Sequence, residues 1–159
     1  MAGNHRTLEG NPSGKGMRIA IVAARFNHFV VDKLVVGALD TLAKSGVRPE
    51  DIDLVRVPGA FELPLVAKRM ASSKRYEAVI TLGAVIRGGT PHFDYVCNEC
   101  ARGVNDASLE TDVPVLFGVL TCDDMEQANE RAGGAHGNKG ADCALAALEM
   151  VDLLAKLDT

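Results

Sequence analysis

EAVITLGAVI, residues 77–86, shows no alternation of polar and apolar side chains after its first residue. A strand with one wet face alternates, so an unbroken run of this length reads as a strand buried on both faces. Such strands belong to parallel sheets with helices on either side. Three further β-branched runs, MRIAIVAA (17–24), DIDLVRV (51–57) and VPVLFGVLT (113–121), supply its neighbours. Between them the apolar period switches to that of a helix. Val31, Leu34, Val35, Ala38 and Leu42 mark the first helix, which Ser45-Gly46 ends. AFELPLVAKRMASSK (60–74) is the second, with Pro64 tolerable in its first turn. HFDYVCNECARGVNDASLE (92–110) is the third and turns Val96, Cys100, Val104 and Ala107 to one side. DDMEQANERA (123–132) is a short helix with acids in its first turn, and GGAHGNKG (133–140) breaks it. ADCALAALEMVDLLAKL (141–157) closes the chain, with Ala141, Ala144, Leu145, Leu148, Val151 and Leu154 predicted on its buried face.

Strands alternating with helices predict the α/β class, as a three-layer α/β/α sandwich around a four-stranded parallel sheet with right-handed crossovers. A chain of 159 residues suits one core, so 17–159 reads as a single domain and the polar residues 1–16 as an arm outside it. LEGNP in that arm can add a strand to the sheet edge of a neighbouring subunit. The net charge of −4 and the lack of a basic run argue against a nucleic-acid partner. No segment reaches the roughly 18 apolar residues of a membrane span, and no membrane is expected. MAGNHRTLEGNPSGKGM lacks the apolar stretch of a signal peptide, so a cytoplasmic location is expected. Cys97 and Cys100 form a C-x-x-C, yet no second pair follows for zinc, and VCNECARGV reads as helix interior. Cys97, Cys100, Cys122 and Cys143 are expected as buried or half-buried free thiols.

RFNH (25–28), PGAFE (58–62) and IRGGTPH (86–92) each follow a strand. In a parallel sheet the carboxyl ends of the strands share one edge, where ligands bind near the topological switch point. RGGTPH precedes a helix, so its glycines and the free N–H groups of the helix start form either a phosphate cradle or a plain turn. It is not a P-loop, because no Gly-Lys-Ser/Thr follows, and no Rossmann fingerprint occurs. His92 is either a proton-transfer group or a capping or core histidine. Phe26 either stacks on a flat heterocycle or packs its loop. Glu62 either accepts from ligand hydroxyls or favours a helix N-terminus, and Arg131 either binds an anion or is a solvated, dipole-pairing arginine.

Taken together, ARFN, VPGAFE, LGAVIRGGTPHFDYVCNE, FGVLT, EQANERAG and GNKG resemble the 6,7-dimethyl-8-ribityllumazine synthase family, whose enzymes act in riboflavin biosynthesis. The resemblance runs from Leu8 to Leu154. It implies a flavodoxin-like sandwich that condenses 5-amino-6-ribitylaminouracil with 3,4-dihydroxy-2-butanone 4-phosphate, with no metal and no organic cofactor. Phe26 would then stack on the pyrimidine, beside Asn27. Ala60, Phe61 and Glu62 would line the ribityl chain, and Ala84, Val85 and Ile86 would meet the pyrimidine edge. Gly89 and Thr90 would hold the phosphate, and His92 would shuttle protons. A neighbouring subunit would supply Phe117 over the ring, Arg131 on the phosphate and Lys139 near the pyrimidine. The resemblance also implies pentamers, an icosahedral shell suggested by the short GGAHGNKG turn, and association with riboflavin synthase. One position departs: many relatives carry lysine where this chain has Ala135, followed by His136. Two readings of another kind use the same residues, a flavin- or nucleotide-binding module without turnover and an inactive shell protein.

Overall fold

The structure, a computed structural model, describes residues 3–159. Met1 and Ala2, the start of the expected arm, lie outside the described residues. Strands β1 (Ile19–Ala24), β2 (Ile52–Val57), β3 (Ala78–Ile86) and β4 (Val115–Cys122) form one parallel sheet in the order β2-β1-β3-β4. Helices α1 (His28–Lys44), α2 (Leu63–Ser72), α3 (His92–Thr111), α4 (Met125–Glu130) and α5 (Lys139–Leu157) connect and cover it. The chain leaves β1 toward β2, then crosses back to the other side of β1 for β3. The switch point therefore lies between the carboxyl ends of β1 and β3.

The two helical layers explain why the strands carry no polar alternation. Ile19, Ile21 and Ala23 of β1, with Ala78, Ile80 and Leu82 of β3, pack under α1 and α5. Ala20, Val22, Ala24 and Val79 face the opposite layer, built from α2 and α3. Every residue of β1 is buried, and both faces of β3 are apolar. Thr81 is the one polar side chain in that run, and its hydroxyl donates to the Leu116 carbonyl at 2.7 Å. Val96, Cys100, Val104 and Ala107 form the buried side of α3, as the spacing predicts.

Three local expectations need correction. Ala60–Glu62 forms a single 3-10 turn, and α2 begins only at Leu63, which places Pro64 in the first turn. GGAHGNKG is more than a break: β5 (Ala132–Gly134) and β6 (Gly137–Asn138) pair as an antiparallel hairpin. On α5 the buried residues are Gly140, Cys143, Ala144, Ala147 and Leu148, while Leu145 is 40% exposed. The close approach of α1 selects this face. A Cβ on Gly140 would overlap the Leu34 carbonyl oxygen and lie 2.8 Å from its carbon. Small residues, joined by Leu148 alone among the leucines, form the fully buried face here.

The segment before β1 runs along its own domain without helix or strand. Asn11 N–H donates to Asp152 Oδ2, and Lys156 Nζ donates to the Glu9 carbonyl, each at 2.8 Å. Among the described residues no helix is long and apolar enough to cross a membrane.

Candidate active site

Backbone hydrogen bonds tie the corners at the switch point together. Arg25 N–H donates to the Val57 carbonyl at 2.8 Å, and Phe26 N–H to the Pro58 carbonyl at 3.0 Å. Asn27 takes the left-handed conformation, φ 61° and ψ 39°, which asparagine tolerates better than most residues. Its side-chain amide donates to the Ala84 carbonyl at 2.8 Å. The loop after β1 is thus stapled to the ends of both β2 and β3. Phe26 rides on that fixed loop with 71% of its surface exposed, which rules out loop packing as its role.

Beside it opens a cleft of ≈ 770 Å³, the size of a small-molecule site. Of the predicted residues, Phe26, Ala60, Phe61, Glu62, Ala84, Val85, Ile86, Thr90 and His92 line it. Asn27 and Gly89 do not; Asn27 holds the end of β3, and Gly88 takes the lining position beside Gly89. Gly59, Phe93, Tyr95 and Val96 were missed. Tyr95 and Val96 were available to sequence reasoning, since they follow His92 by three and four residues on one helix and share its face.

His92 is the first residue of α3 and is exposed, and no side chain caps that helix. It is therefore neither a cap nor a core histidine. Glu62 precedes α2 without capping it and approaches Gly59, on the cleft wall. The first turn of α3 leaves backbone N–H groups without side-chain acceptors, a setting that favours an anion. A Cβ on Gly88 or Gly89 would meet nothing within 4 Å, so the chain's own packing does not demand these glycines. Arg87 braces the corner from outside. Its Nε lies 2.9 Å from Asp123 Oδ1, its Nη1 3.7 Å from Asp94, and its guanidinium 4.3 Å from the Phe93 ring centroid.

Phe117, Arg131 and Lys139 line a different cleft of ≈ 450 Å³, together with Thr121, His136 and Asp142. Among the described residues none lines both clefts. Phe117 comes from β4, the sheet edge, while Arg131 ends α4 and Lys139 opens α5. Arg131 Nη1 donates to the Gln127 carbonyl at 3.0 Å, so it does close the C-terminal end of α4, yet its side chain stays 41% exposed. Within one chain, the structure separates the predicted residues into a face with Phe26, Glu62 and His92 and a face with Phe117, Arg131 and Lys139.

Among the described residues no three His, Cys, Asp or Glu side chains converge as a metal-ligand set. The four cysteines are free, Cys97 half-buried and the others buried. Burial pushes the Cys100 thiol up to about 12 and that of Cys143 up to about 11. Neither forms appreciable thiolate at pH 8. A thiol-titrating disulfide reagent at that pH should leave Cys100 and Cys143 unmodified in the folded protein and modify all four cysteines in denaturant. Rapid labelling of Cys100 in the native state would contradict this packing of α3.

Residues 16–155 match the family model described as 6,7-dimethyl-8-ribityllumazine synthase. The chain is also 59% identical over 147 residues to the 6,7-dimethyl-8-ribityllumazine synthase of Desulfotalea psychrophila, covering 92% of this chain and 95% of that one. With the cleft at the switch point and these two matches in hand, the chain belongs to the 6,7-dimethyl-8-ribityllumazine synthase family.

Proposed function

We propose that the two clefts are complementary halves of one active site, joined when the first cleft of one subunit meets the second cleft of its neighbour. The activity is that of the family: 5-amino-6-ribitylaminouracil and 3,4-dihydroxy-2-butanone 4-phosphate condense to 6,7-dimethyl-8-ribityllumazine, phosphate and water. The observation that carries the composite site is the division of the predicted residues between two clefts with no shared lining. Exposure agrees with it, since Phe26, Phe61 and Tyr95 are 71%, 58% and 69% exposed around the first cleft. Apolar surface of that kind marks an interface or a ligand.

In this reading Phe26 and the neighbour's Phe117 sandwich the pyrimidine, whose edge meets the backbone of Ala84, Val85 and Ile86. Glu62 accepts from the ribityl hydroxyls beside Ala60 and Phe61, and Lys139 of the neighbour lies near the pyrimidine. Gly89, Thr90 and the start of α3 hold the phosphate, with the neighbour's Arg131. Imine formation, loss of phosphate and ring closure need protons moved at fixed places, so one histidine and a firm clamp suffice. His92 moves those protons. Asn27 acts through the Ala84 carbonyl that it holds, rather than by touching substrate. Purified protein mixed with both substrates should develop the absorbance of the lumazine. Ligand binding without product would favour the non-catalytic module, and neither binding nor product would favour an inactive shell.

Two unlike patches that join are a heterologous interface, which closes into a ring when the rotation allows. The ring proposed here is a pentamer, twelve of which close into an icosahedral shell, with riboflavin synthase as a partner in a cytoplasmic setting. Residues 17–159 form the domain, and the arm 1–16, anchored to α5 of its own chain at Glu9 and Asn11, extends from there to a neighbouring sheet edge. Deleting residues 1–12 should shrink the assembly seen by light scattering while circular dichroism stays native. An unchanged assembly size and melting temperature would remove the arm from this role.

A further inference from the structure

The second cleft holds a side chain that the proposed site leaves without a task. His136 sits at the tip of the β5–β6 hairpin, and its backbone N–H donates to the Glu130 carbonyl at 2.8 Å. Lys139 N–H donates to the Arg131 carbonyl at 2.9 Å. One hydrogen-bonded frame thus carries Arg131 at its start, His136 at its tip and Lys139 just past its end. All three line the same cleft. A single oxygen of Glu130, Oε2, lies 3.5 Å from Arg131 Nη1 and 3.6 Å from His136 Nε2. The two side chains already converge on one anionic oxygen.

We infer that His136 is a second phosphate ligand beside Arg131, and that Glu130 is an internal anion whose place the substrate's phosphate takes. The assignment rests on Arg131 holding phosphate, as proposed above. Nε2 can donate to an anion from the charged ring or from the Nε2-protonated neutral tautomer. A phosphate offers several charged acceptor oxygens, where Glu130 offers one to both partners, so it satisfies the pair more fully. Asp142 adds a carboxylate to the same cleft, which makes each donor facing the anion count.

Steady-state kinetics on the assembled enzyme test this, with each substrate varied in turn and inorganic phosphate as inhibitor. His136→Ala should raise the KM for the butanone phosphate and the inhibition constant of phosphate by about tenfold, leaving the KM for the pyrimidine unchanged. His136→Gln keeps an N–H donor and should fall between the two; it carries the test alone if the alanine variant does not assemble. Glu130→Gln should tighten phosphate inhibition by about threefold, since the competing charge is gone. Unchanged phosphate affinity in the His136 variants, an equal rise in both KM values, or weaker phosphate inhibition in Glu130→Gln would each overturn the inference. Arg131→Ala separates it from the wider reading. If that variant loses phosphate affinity while the His136 variants do not, only the role of His136 fails. If Arg131→Ala also keeps full affinity, the phosphate role of the whole cleft fails.

Discussion

His92→Ala lowers the turnover of the assembled enzyme by on the order of 10²-fold and leaves affinity for the lumazine product within about threefold. The contrast follows from where the ring sits. His92 opens α3 on the cleft wall, exposed and without a capping bond, so its removal costs little packing. Phe26, Phe61 and Glu62, which would grip the product, stand on other corners fixed by their own backbone hydrogen bonds. A side chain that moves protons lowers kcat when it is lost, and one that only binds raises KM. Pre-steady-state turnover and fluorescence titration with product distinguish these outcomes. Normal turnover in His92→Ala would remove this residue from the mechanism, and a parallel loss of product affinity would make it a binding group.

Gly140→Ala should be strongly destabilising, costing about 3 kcal/mol and lowering the melting temperature by about 10 °C. The added Cβ would overlap the Leu34 carbonyl oxygen, a backbone atom that cannot rotate aside. Relief requires α1 and α5 to part. Leu34, Ala38, Ala144 and Ala147, all fully buried, would lose packing between those helices. Gly88→Ala is the internal comparison, because its Cβ meets open space, and its stability should change by less than about 1 kcal/mol. Equal melting temperatures for the two variants would show that α1 and α5 pack more loosely than this structure has them.

The sheet was legible because its central strands are buried on both faces and so carry unbroken apolar runs. The orientation of α5 was not. Its leucines weighed on the predicted face, whereas Gly140, Cys143, Ala144 and Ala147 decide how near α1 can come, and small side chains leave almost no hydropathy signal. The β5–β6 hairpin escaped for a similar reason, since strands of three and two residues rich in glycine show no alternation. At the site, the rule that ligands gather at strand ends found the loops of Phe26, Glu62 and His92 from sequence alone. It could not find the second cleft. Arg131 ends one helix and Lys139 opens the next, neither at a strand's carboxyl end, and only the resemblance to known synthases drew them toward the same reaction. The tie from Asn27 to Ala84 is a long-range contact, invisible before the chain is folded.

The joining of two clefts from different subunits is tested most directly by mixed rings. A His92→Ala subunit keeps an intact Arg131 face, and an Arg131→Ala subunit keeps an intact His92 face. Each variant alone places its defect at every interface, Arg131→Ala chiefly through lost phosphate binding and orientation. Co-expressed and verified by mass spectrometry as mixed assemblies, the two should pair intact faces at some interfaces, and activity per subunit should rise well above that of either variant. Activity no higher than the average of the two variants, in assemblies proven to be mixed, would contradict the composite site and place Arg131 in the service of its own chain.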